Sequence, residues 1–239
     1  MLAIEKLDLY YGDAQALAGV SLEVPRGEIV AIVGANGAGK TTLFNVVAGV
    51  YPSDTGEVHF AGRRIDGLRP DQVCAAGIGR TFQIVKPFAG LSVLDNVIVG
   101  ALLNSRTVSA AKGYAAEIME RLGLGTKRDL PASSLTLPDR KRLEVARALA
   151  TRPQLLLLDE VMAGLRPTEC DQMVEVFRDL NRSQGLTILL IEHVMRAVMA
   201  LAQQVVVLHH GEIIARGTPA EVVRDAAVLE CYLGEETEV

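Results

Sequence analysis

The sequence is poor in features that would place it in several common protein classes. It has only three cysteines, Cys74, Cys170 and Cys231, which lie far apart and form no C-x-x-C pair. This spacing indicates neither a zinc site nor a disulfide framework, and it favours buried, reduced thiols in a cytosolic protein. The net charge of −5 and the lack of a Lys/Arg block disfavour nucleic acid as the main partner.

Long apolar segments are also missing. Apolar runs such as residues 155–158 and 188–191 are far too short to span a bilayer. The N-terminus alternates apolar and polar residues and carries early charge, unlike a secretory signal peptide. We therefore expect a chain that is soluble by itself and that could still dock on a membrane protein. Its 239 residues, of which 49% are hydrophobic, predict one globular domain, with or without a small lobe.

A glycine-rich segment dominates what is present. Residues 34–42 read G-A-N-G-A-G-K-T-T, which fits the P-loop pattern, between a predicted strand at 28–33 and a predicted helix at 42–48. Glycines let backbone N–H groups turn inward towards phosphate oxygens, and the helix N-terminus adds positive potential. Lys40 would neutralise the β- and γ-phosphates, and the Thr41 hydroxyl would bind Mg²⁺. The predicted phosphate-binding residues are Gly34, Asn36, Gly37, Ala38, Gly39, Lys40, Thr41 and Thr42.

The remaining pattern predicts an α/β fold. Alternating segments at 2–9 and 15–24 indicate an antiparallel hairpin with a turn at 10–13, whereas solid apolar runs predict the buried strands of a mainly parallel sheet. Between about 92 and 150 strand signals vanish, and helices are expected at about 92–103, 112–122 and 139–150. We expect a P-loop core at 1–91 and 151–239, with helices on both faces of its sheet. An N-terminal antiparallel β part and an inserted helical subdomain complete a single domain of residues 1–239.

Two carboxylates end the predicted strand of leucines at 154–158. Asp159 is placed to hold Mg²⁺ opposite Thr41, directly or through water. Glu160 is free of that duty and could accept a proton from an attacking water. The alternative is that this acidic pair merely ends a strand in a solvent-facing loop. The presence of a P-loop in the same chain favours the phosphate site.

Three further side chains are candidates for the same site. Tyr11, just upstream of the loop, either stacks on adenine or packs in a turn, and the residues alone leave both open. His193 follows the predicted strand at 186–191 and could contact the γ-phosphate, although a helix-start histidine often has no such role. A strand predicted at 78–82 ends at Gln83, which could reach Mg²⁺ or the water and link nucleotide state to the helical subdomain.

Taken together, these segments resemble the ATP-binding subunits of ATP-binding-cassette (ABC) transporters over almost the whole chain. Residues 79–83, 143–149, 163–165, 191–193 and 232–235 are similar to the ATPase pair of branched-chain amino-acid importers. The resemblance implies adenine stacking by Tyr11, a Q-loop role for Gln83 and a switch role for His193. It also implies a Walker B role for Asp159 and a catalytic-base role for Glu160. Two such domains would sandwich two ATP molecules head to tail.

The segment that resembles the ABC signature departs from its L-S-G-G-Q pattern. Residues 135–139 read L-T-L-P-D, so that Thr136 keeps a hydroxyl for the nucleotide, Leu137 is bulky, and Pro138 has no N–H for a phosphate. Val161 stands where proline usually follows the carboxylate pair, and Arg166 where aspartate is usual. These departures suggest a different ATPase chain as partner, one that supplies an intact signature to this P-loop, although a homodimer stays open.

The expected function is ATP hydrolysis that energises uptake of branched-chain amino acids or a related small solute. The resemblance implies ATP and Mg²⁺ as cofactors, transmembrane permease subunits as partners and, indirectly, a solute-binding protein that is periplasmic or lipid-anchored. The chain would sit on the cytoplasmic face of the membrane. Alternatives are the ATPase of a lipid or lipopolysaccharide exporter and a soluble ABC protein of DNA repair or translation. The modest helical insertion without sustained heptads and the single cassette disfavour the latter.

Overall fold

The computed structural model describes residues 1–83 and 86–235; residues 84–85 and 236–239 of the predicted domain lie outside that description. Ten strands are described: β1 (Leu2–Tyr11), β2 (Ala14–Val24), β3 (Ile29–Val33), β4 (Thr55–Phe60), β5 (Arg63–Arg64), β6 (Ile78–Arg80), β7 (Leu155–Asp159), β8 (Thr187–Ile191), β9 (Gln204–His209) and β10 (Glu212–Gly217). Nine α-helices accompany them: α1 (Lys40–Val47), α2 (Pro70–Ala76), α3 (Val93–Ala101), α4 (Val108–Arg121), α5 (Leu137–Ala150), α6 (Pro167–Gln184), α7 (Met195–Leu201), α8 (Pro219–Val222) and α9 (Ala226–Glu235).

The strands form two sheets. Strands β2-β1-β4-β5 make a four-stranded antiparallel sheet, and β10-β9-β3-β8-β7-β6 make a six-stranded sheet. Within the larger sheet β9, β3, β8, β7 and β6 run parallel, and only the edge strand β10 is antiparallel. Because parallel strands end on the same edge, the carboxyl ends of β3, β8, β7 and β6 lie side by side. The α/β fold with an N-terminal antiparallel part is confirmed.

Successive side chains of the central strands point to opposite faces of the six-stranded sheet, and a hydrophobic core lies on each face. Ile29, Ala31 and Val33 of β3 belong to a cluster with the buried residues of α3 to α7, whereas Val30 and Ile32 face a second cluster. That second cluster contains α1 and the inner residues of the antiparallel sheet. All five residues of β3, of β7 and of β8 are buried. Burial on both faces explains why these strands read as solid apolar runs.

Several predicted boundaries were wrong. Helix α5 begins at Leu137 rather than 139, because Pro138 fits the first turn of a helix, where its missing N–H has no partner to lose. Helix α4 begins at Val108 rather than 112, since the Thr107 hydroxyl caps it by accepting from the Ala110 N–H at 3.2 Å. Strand β6 ends at Arg80, short of the predicted 82, and β1 continues through Tyr11, so that the turn is narrower than 10–13.

Between β6 and β7 the described residues form no named strand. Helices α3, α4 and α5, with three short 3₁₀ turns, fill the stretch from Val93 to Ala150. Ser92 caps α3 by accepting from the Asp95 N–H at 3.0 Å. Among the described residues no helix combines the length and the apolarity needed to cross a membrane.

Candidate nucleotide-binding and hydrolysis site

The P-loop joins β3 to α1 and contains three glycines in the left-handed region. Gly34, Gly37 and Gly39 have φ values of +154°, +81° and +101°. A Cβ on Gly34 would meet the Leu208 carbonyl oxygen at 2.0 Å, and a Cβ on Gly39 would meet the Ala16 carbonyl oxygen at 2.6 Å. The loop can follow this course only with glycine at those two positions, because both the backbone conformation and the space forbid a side chain.

Lys40 closes the loop on itself. Its ammonium donates to the carbonyl oxygens of Gly34 and Ala35, both at 2.7 Å. Burial lowers the pKa of Lys40, and the negative charges of Glu160 and Asp159 oppose that effect. This electrostatic coupling to both carboxylates is what the sequence predicts for a loop that faces them.

One cleft brings Thr41 of the loop and Asp159 of the leucine strand together. It has a volume of about 440 Å³ and is lined by Thr41, Arg80, Phe82, Gln83, Lys86, Glu144, Arg147 and Asp159. A second cleft of about 460 Å³, between α4 and α6, contains no residue of the P-loop. The predicted convergence of loop and carboxylate is therefore present, at the carboxyl edge of the parallel strands.

Asp159 is nearly fully buried, with 2% of its side chain exposed. Burial raises the pKa of its carboxyl group, and the neighbouring Arg80 guanidinium counters the rise. One carboxylate oxygen, Oδ2, accepts from Arg80 at 3.3 Å, whereas Oδ1 is buried and has no hydrogen-bond partner. An orphaned buried carboxylate oxygen is costly and suits a ligand that brings positive charge, so the site fits a divalent cation.

Glu160 lies between the other two predicted catalytic side chains. The Gln83 amide donates to its Oε2 at 2.7 Å, and His193 Nδ1 lies 3.7 Å from its Oε1. Its backbone φ is +49°, which is unusual for a residue with a side chain. The Lys141 ammonium donates to the Glu160 carbonyl oxygen at 3.0 Å and so fixes this turn from helix α5.

Two of the predicted nucleotide contacts, Tyr11 and Thr136, lie in different parts of the structure. Tyr11 ends β1 with half of its surface exposed, and its hydroxyl lies 3.5 Å from the Thr42 hydroxyl of the P-loop. Its ring meets Tyr51 edge-on, with a centroid distance of 5.9 Å. Thr136 does not line the cleft; its hydroxyl donates to Asp139 at 2.7 Å within the segment that resembles the signature.

Sequence reasoning missed three polar residues that organise the site. Arg80 and Asn45 connect β6, α1 and Asp159, and Lys141 connects α5 to Glu160. The signal for Lys141 was its place in line with the buried Val145 and Ala148 at helical spacing. No comparable signal marked Arg80, because its partners are distant in sequence.

The fold and this geometry define the chain as an ATP-binding cassette. Residues 17–163 match the family model described as ABC transporter, and residues 212–238 match that described as branched-chain amino acid ATP-binding cassette transporter. The chain is 38% identical to the high-affinity branched-chain amino acid transport ATP-binding protein LivG of Salmonella typhimurium, over 98% of both chains. It is 34% identical to BraF of Pseudomonas aeruginosa, a protein described in the same words, over 98% of both chains.

A solved structure supports the same assignment. The ADP conformation of MJ1267, an ATP-binding cassette of an ABC transporter, matches with a TM-score of 0.88 and 31% identity, over 98% of both chains. The chain therefore belongs to the ABC transporter family of ATP-binding proteins, in its branched-chain amino-acid group. It is an ATP-binding and ATP-hydrolysing transporter subunit. The exporter, DNA-repair and translation alternatives are not favoured.

Proposed function

We propose that this chain hydrolyses ATP on the cytoplasmic face of a membrane to energise uptake of branched-chain amino acids or a related small solute. The names of its relatives supply the class of solute. The observation that carries the proposal is the meeting of Thr41 and Asp159 in one cleft, beside a Glu160 held between Gln83 and His193.

ATP would be bound by the loop and the first turn of α1. The backbone N–H groups of residues 34–42 and the Lys40 ammonium would take the phosphates, at a helix N-terminus that favours negative charge. Lys40 would exchange its two carbonyl acceptors for phosphate oxygens. Tyr11 would stack on adenine, because its exposed ring is anchored beside Thr42 by the hydroxyl contact.

Thr41, Asp159 and Gln83 would hold Mg²⁺, and the support for this assignment is the unsatisfied Oδ1 of Asp159 in the cleft that Thr41 and Gln83 also line. A bound Mg²⁺ would neutralise charge on the phosphates. The protein's own part is to orient the three oxygen ligands and to bury Asp159. Gln83 would reach the site by leaving its present hydrogen bond with Glu160.

Glu160 would act as the general base for in-line attack of water on the γ-phosphate. In the arrangement described, the Gln83 amide occupies Oε2 of that carboxylate and so withholds it from water. His193 lies on the other side and would contact the γ-phosphate. Release of Glu160 by Gln83 would couple nucleotide state to the position of the Q-loop.

We infer that the helices at about 92–150 act as a subdomain within a single ATPase domain and carry the motion to permease subunits. Support comes from three partly exposed aromatic and aliphatic side chains beside the Q-loop: Phe82, Phe88 and Leu91 are 53%, 45% and 39% exposed. A second ATP-binding subunit would complete the nucleotide sandwich, and a solute-binding protein would deliver the solute.

The test replaces Glu160 with Gln in the transporter assembled with its membrane subunits. Turnover should fall about 100- to 10,000-fold, because the general base is lost, while ATP affinity stays within about twofold of the parent's. Glu175→Gln is the control, since Glu175 is an exposed carboxylate of α6 that does not line the cleft. Parent-like hydrolysis by Glu160→Gln would remove Glu160 from this role.

The transport arm uses pull-down of this chain from native membranes and uptake of labelled leucine, isoleucine and valine. Permease chains and a second ATPase chain should co-purify, and Glu160→Gln should abolish uptake. Normal uptake of all three amino acids in cells that lack this chain would exclude the proposed class of solute.

A further inference from the structure

Arg80 is a buried cation beside the carboxylate that we assign to Mg²⁺. It is the last residue of β6, which runs parallel to β7 with Arg80 opposite Leu157, two residues before Asp159. The guanidinium NH2 lies 3.3 Å from Asp159 Oδ2, and only 9% of the Arg80 side chain and 2% of the Asp159 side chain are exposed. An ion pair so removed from water is only weakly screened by salt.

Three other side chains keep Arg80 in that position. Its NH1 donates to the Asn45 side-chain oxygen of α1 at 2.7 Å. The guanidinium carbon lies 5.9 Å from the ring centroid of Phe44 and 5.1 Å from that of Phe82. Arg80 is thereby fixed to the P-loop helix on one side and to the residue before Gln83 on the other.

The pairing of Arg80 with Asp159 is incomplete on both sides. Arg80 Nε and Asp159 Oδ1 are both buried without a hydrogen-bond partner. A bidentate arrangement would satisfy both atoms, as Arg–carboxylate pairs usually do. The single contact leaves Oδ1 available to another cation while Oδ2 is still held.

We propose that Arg80 is the resident counter-ion of Asp159 and competes with divalent cations for it in the nucleotide-free protein. This inference rests on the proposed magnesium role of Asp159. A fixed positive charge in a poorly screened site repels a divalent cation, so a metal ion binds weakly there unless the negative charge of a nucleotide is also present. Arg80 is a positioning residue, since its effect on the metal ion acts through Asp159.

The test measures Mn²⁺ binding to the nucleotide-free full chain by electron paramagnetic resonance. It also measures the affinity of a fluorescent ATP analogue in Mg²⁺ and in EDTA. Arg80→Met should bind Mn²⁺ at least tenfold more tightly than the parent. The dissociation constant of the ATP analogue measured in EDTA, divided by that measured in Mg²⁺, should also rise at least tenfold. Arg80→Lys keeps the charge and should stay within threefold of the parent in both measurements.

Arg80→Gln is measured in parallel, and either neutral variant that melts cooperatively decides the question. The assays are repeated at pH 8.5, because burial raises the pKa of Asp159 and its carboxyl must be ionised. Asp159→Asn separates the two proposals. If it leaves Mn²⁺ binding and the Mg²⁺ ratio intact, the magnesium role of Asp159 fails. If it abolishes both while the neutral Arg80 variants behave like the parent, only the Arg80 inference fails.

Discussion

Glu160 shows how a single residue is forced into a functional pose. A non-glycine residue in the left-handed region costs about 1–3 kcal/mol and persists only where the surroundings determine it. Here the Glu160 N–H donates to the Ile191 carbonyl oxygen at 3.0 Å, and the Lys141 ammonium holds the Glu160 carbonyl oxygen at the same distance. Strand β8 and helix α5 thus hold Glu160 in the strained conformation that turns its carboxylate towards Gln83 and His193.

Glu192 allows a second prediction at the scale of a single residue, because it is a carboxylate buried next to His193. Its Oε1 accepts from the Met162 N–H at 2.9 Å, and its Oε2 has no partner. Burial raises the pKa of Glu192 above its ordinary value of 4.5. The folded protein therefore holds this proton more tightly than the unfolded chain does, and the resulting stability is lost as pH rises through the folded pKa.

Glu192→Gln removes that loss, so its free energy of unfolding relative to the parent should increase as pH rises from 4.5 towards neutrality. The increase should be about 1.4 kcal/mol for each unit by which folding raises the pKa. Urea denaturation at several pH values measures it, with the exposed Glu175→Gln as control. If the difference in free energy of unfolding between Glu192→Gln and the parent is constant with pH, or decreases, the charge of Glu192 does not destabilise the folded protein.

At the scale of elements, the tolerance of the P-loop to substitution depends on which of its glycines pack closely against neighbouring residues. Gly39 and Gly37 both have positive φ, but a Cβ on Gly37 meets nothing within 4 Å, whereas one on Gly39 meets the Ala16 carbonyl oxygen at 2.6 Å. Both alanine variants bear the backbone cost. In Gly39→Ala the steric clash should lower the free energy of unfolding by a further ~1–3 kcal/mol. Equal unfolding midpoints in urea for the two variants would contradict the packing described for this loop.

The start of α5 lies in the segment that resembles the ABC signature. Pro138 in the first turn removes an N–H, and the Thr136 hydroxyl is already engaged by Asp139. If the altered signature-like segment weakens the nucleotide site that it faces in the dimer, Pro138→Gly should strengthen ATP-driven dimerisation about tenfold or more and raise turnover, because a phosphate gains a donor. Sedimentation in the Glu160→Gln background, where bound ATP should persist, measures the dimer, and turnover is measured with Glu160 present.

Pro219→Gly is the matched control for Pro138→Gly, since Pro219 also lies in the first turn of a helix, α8, but is outside the signature-like segment. The control should not change dimerisation. If Pro138→Gly also leaves dimerisation and turnover unchanged, the altered segment does not weaken a nucleotide site.

Local pattern was sufficient for most elements but not for the contacts between them. Solid apolar runs predicted β7 and β8, and the P-loop pattern predicted the existence of α1, because both depend on neighbouring residues. The predicted start of α1 was wrong, since the helix begins at Lys40 rather than at 42. Helix α5 was placed two residues late because the first-turn preference of Pro138 was not applied. The ion pair of Arg80 with Asp159 joins residues 79 positions apart and follows from strand order, which no local pattern encodes.

At the scale of the whole molecule, the six-stranded sheet has different elements packed on its two faces. One face packs against α1 and the antiparallel sheet, which carries Tyr11, and the other packs against the helices that carry Lys141 and the signature-like segment. The shared carboxyl edge of the strands is where residues attached to both faces meet. In the function that we propose, a nucleotide bound at this edge would influence the position of the helical subdomain.

Calorimetric titration of ATP with magnesium into the isolated chain tests most directly whether the loop and the carboxylates form one triphosphate site. We expect saturable binding of one ATP per chain. In Lys40→Ala the affinity should fall about 10- to 100-fold, as expected for loss of a charged hydrogen bond to phosphate. Absence of saturable heat with the parent chain, or equal affinity in Lys40→Ala, would contradict the account.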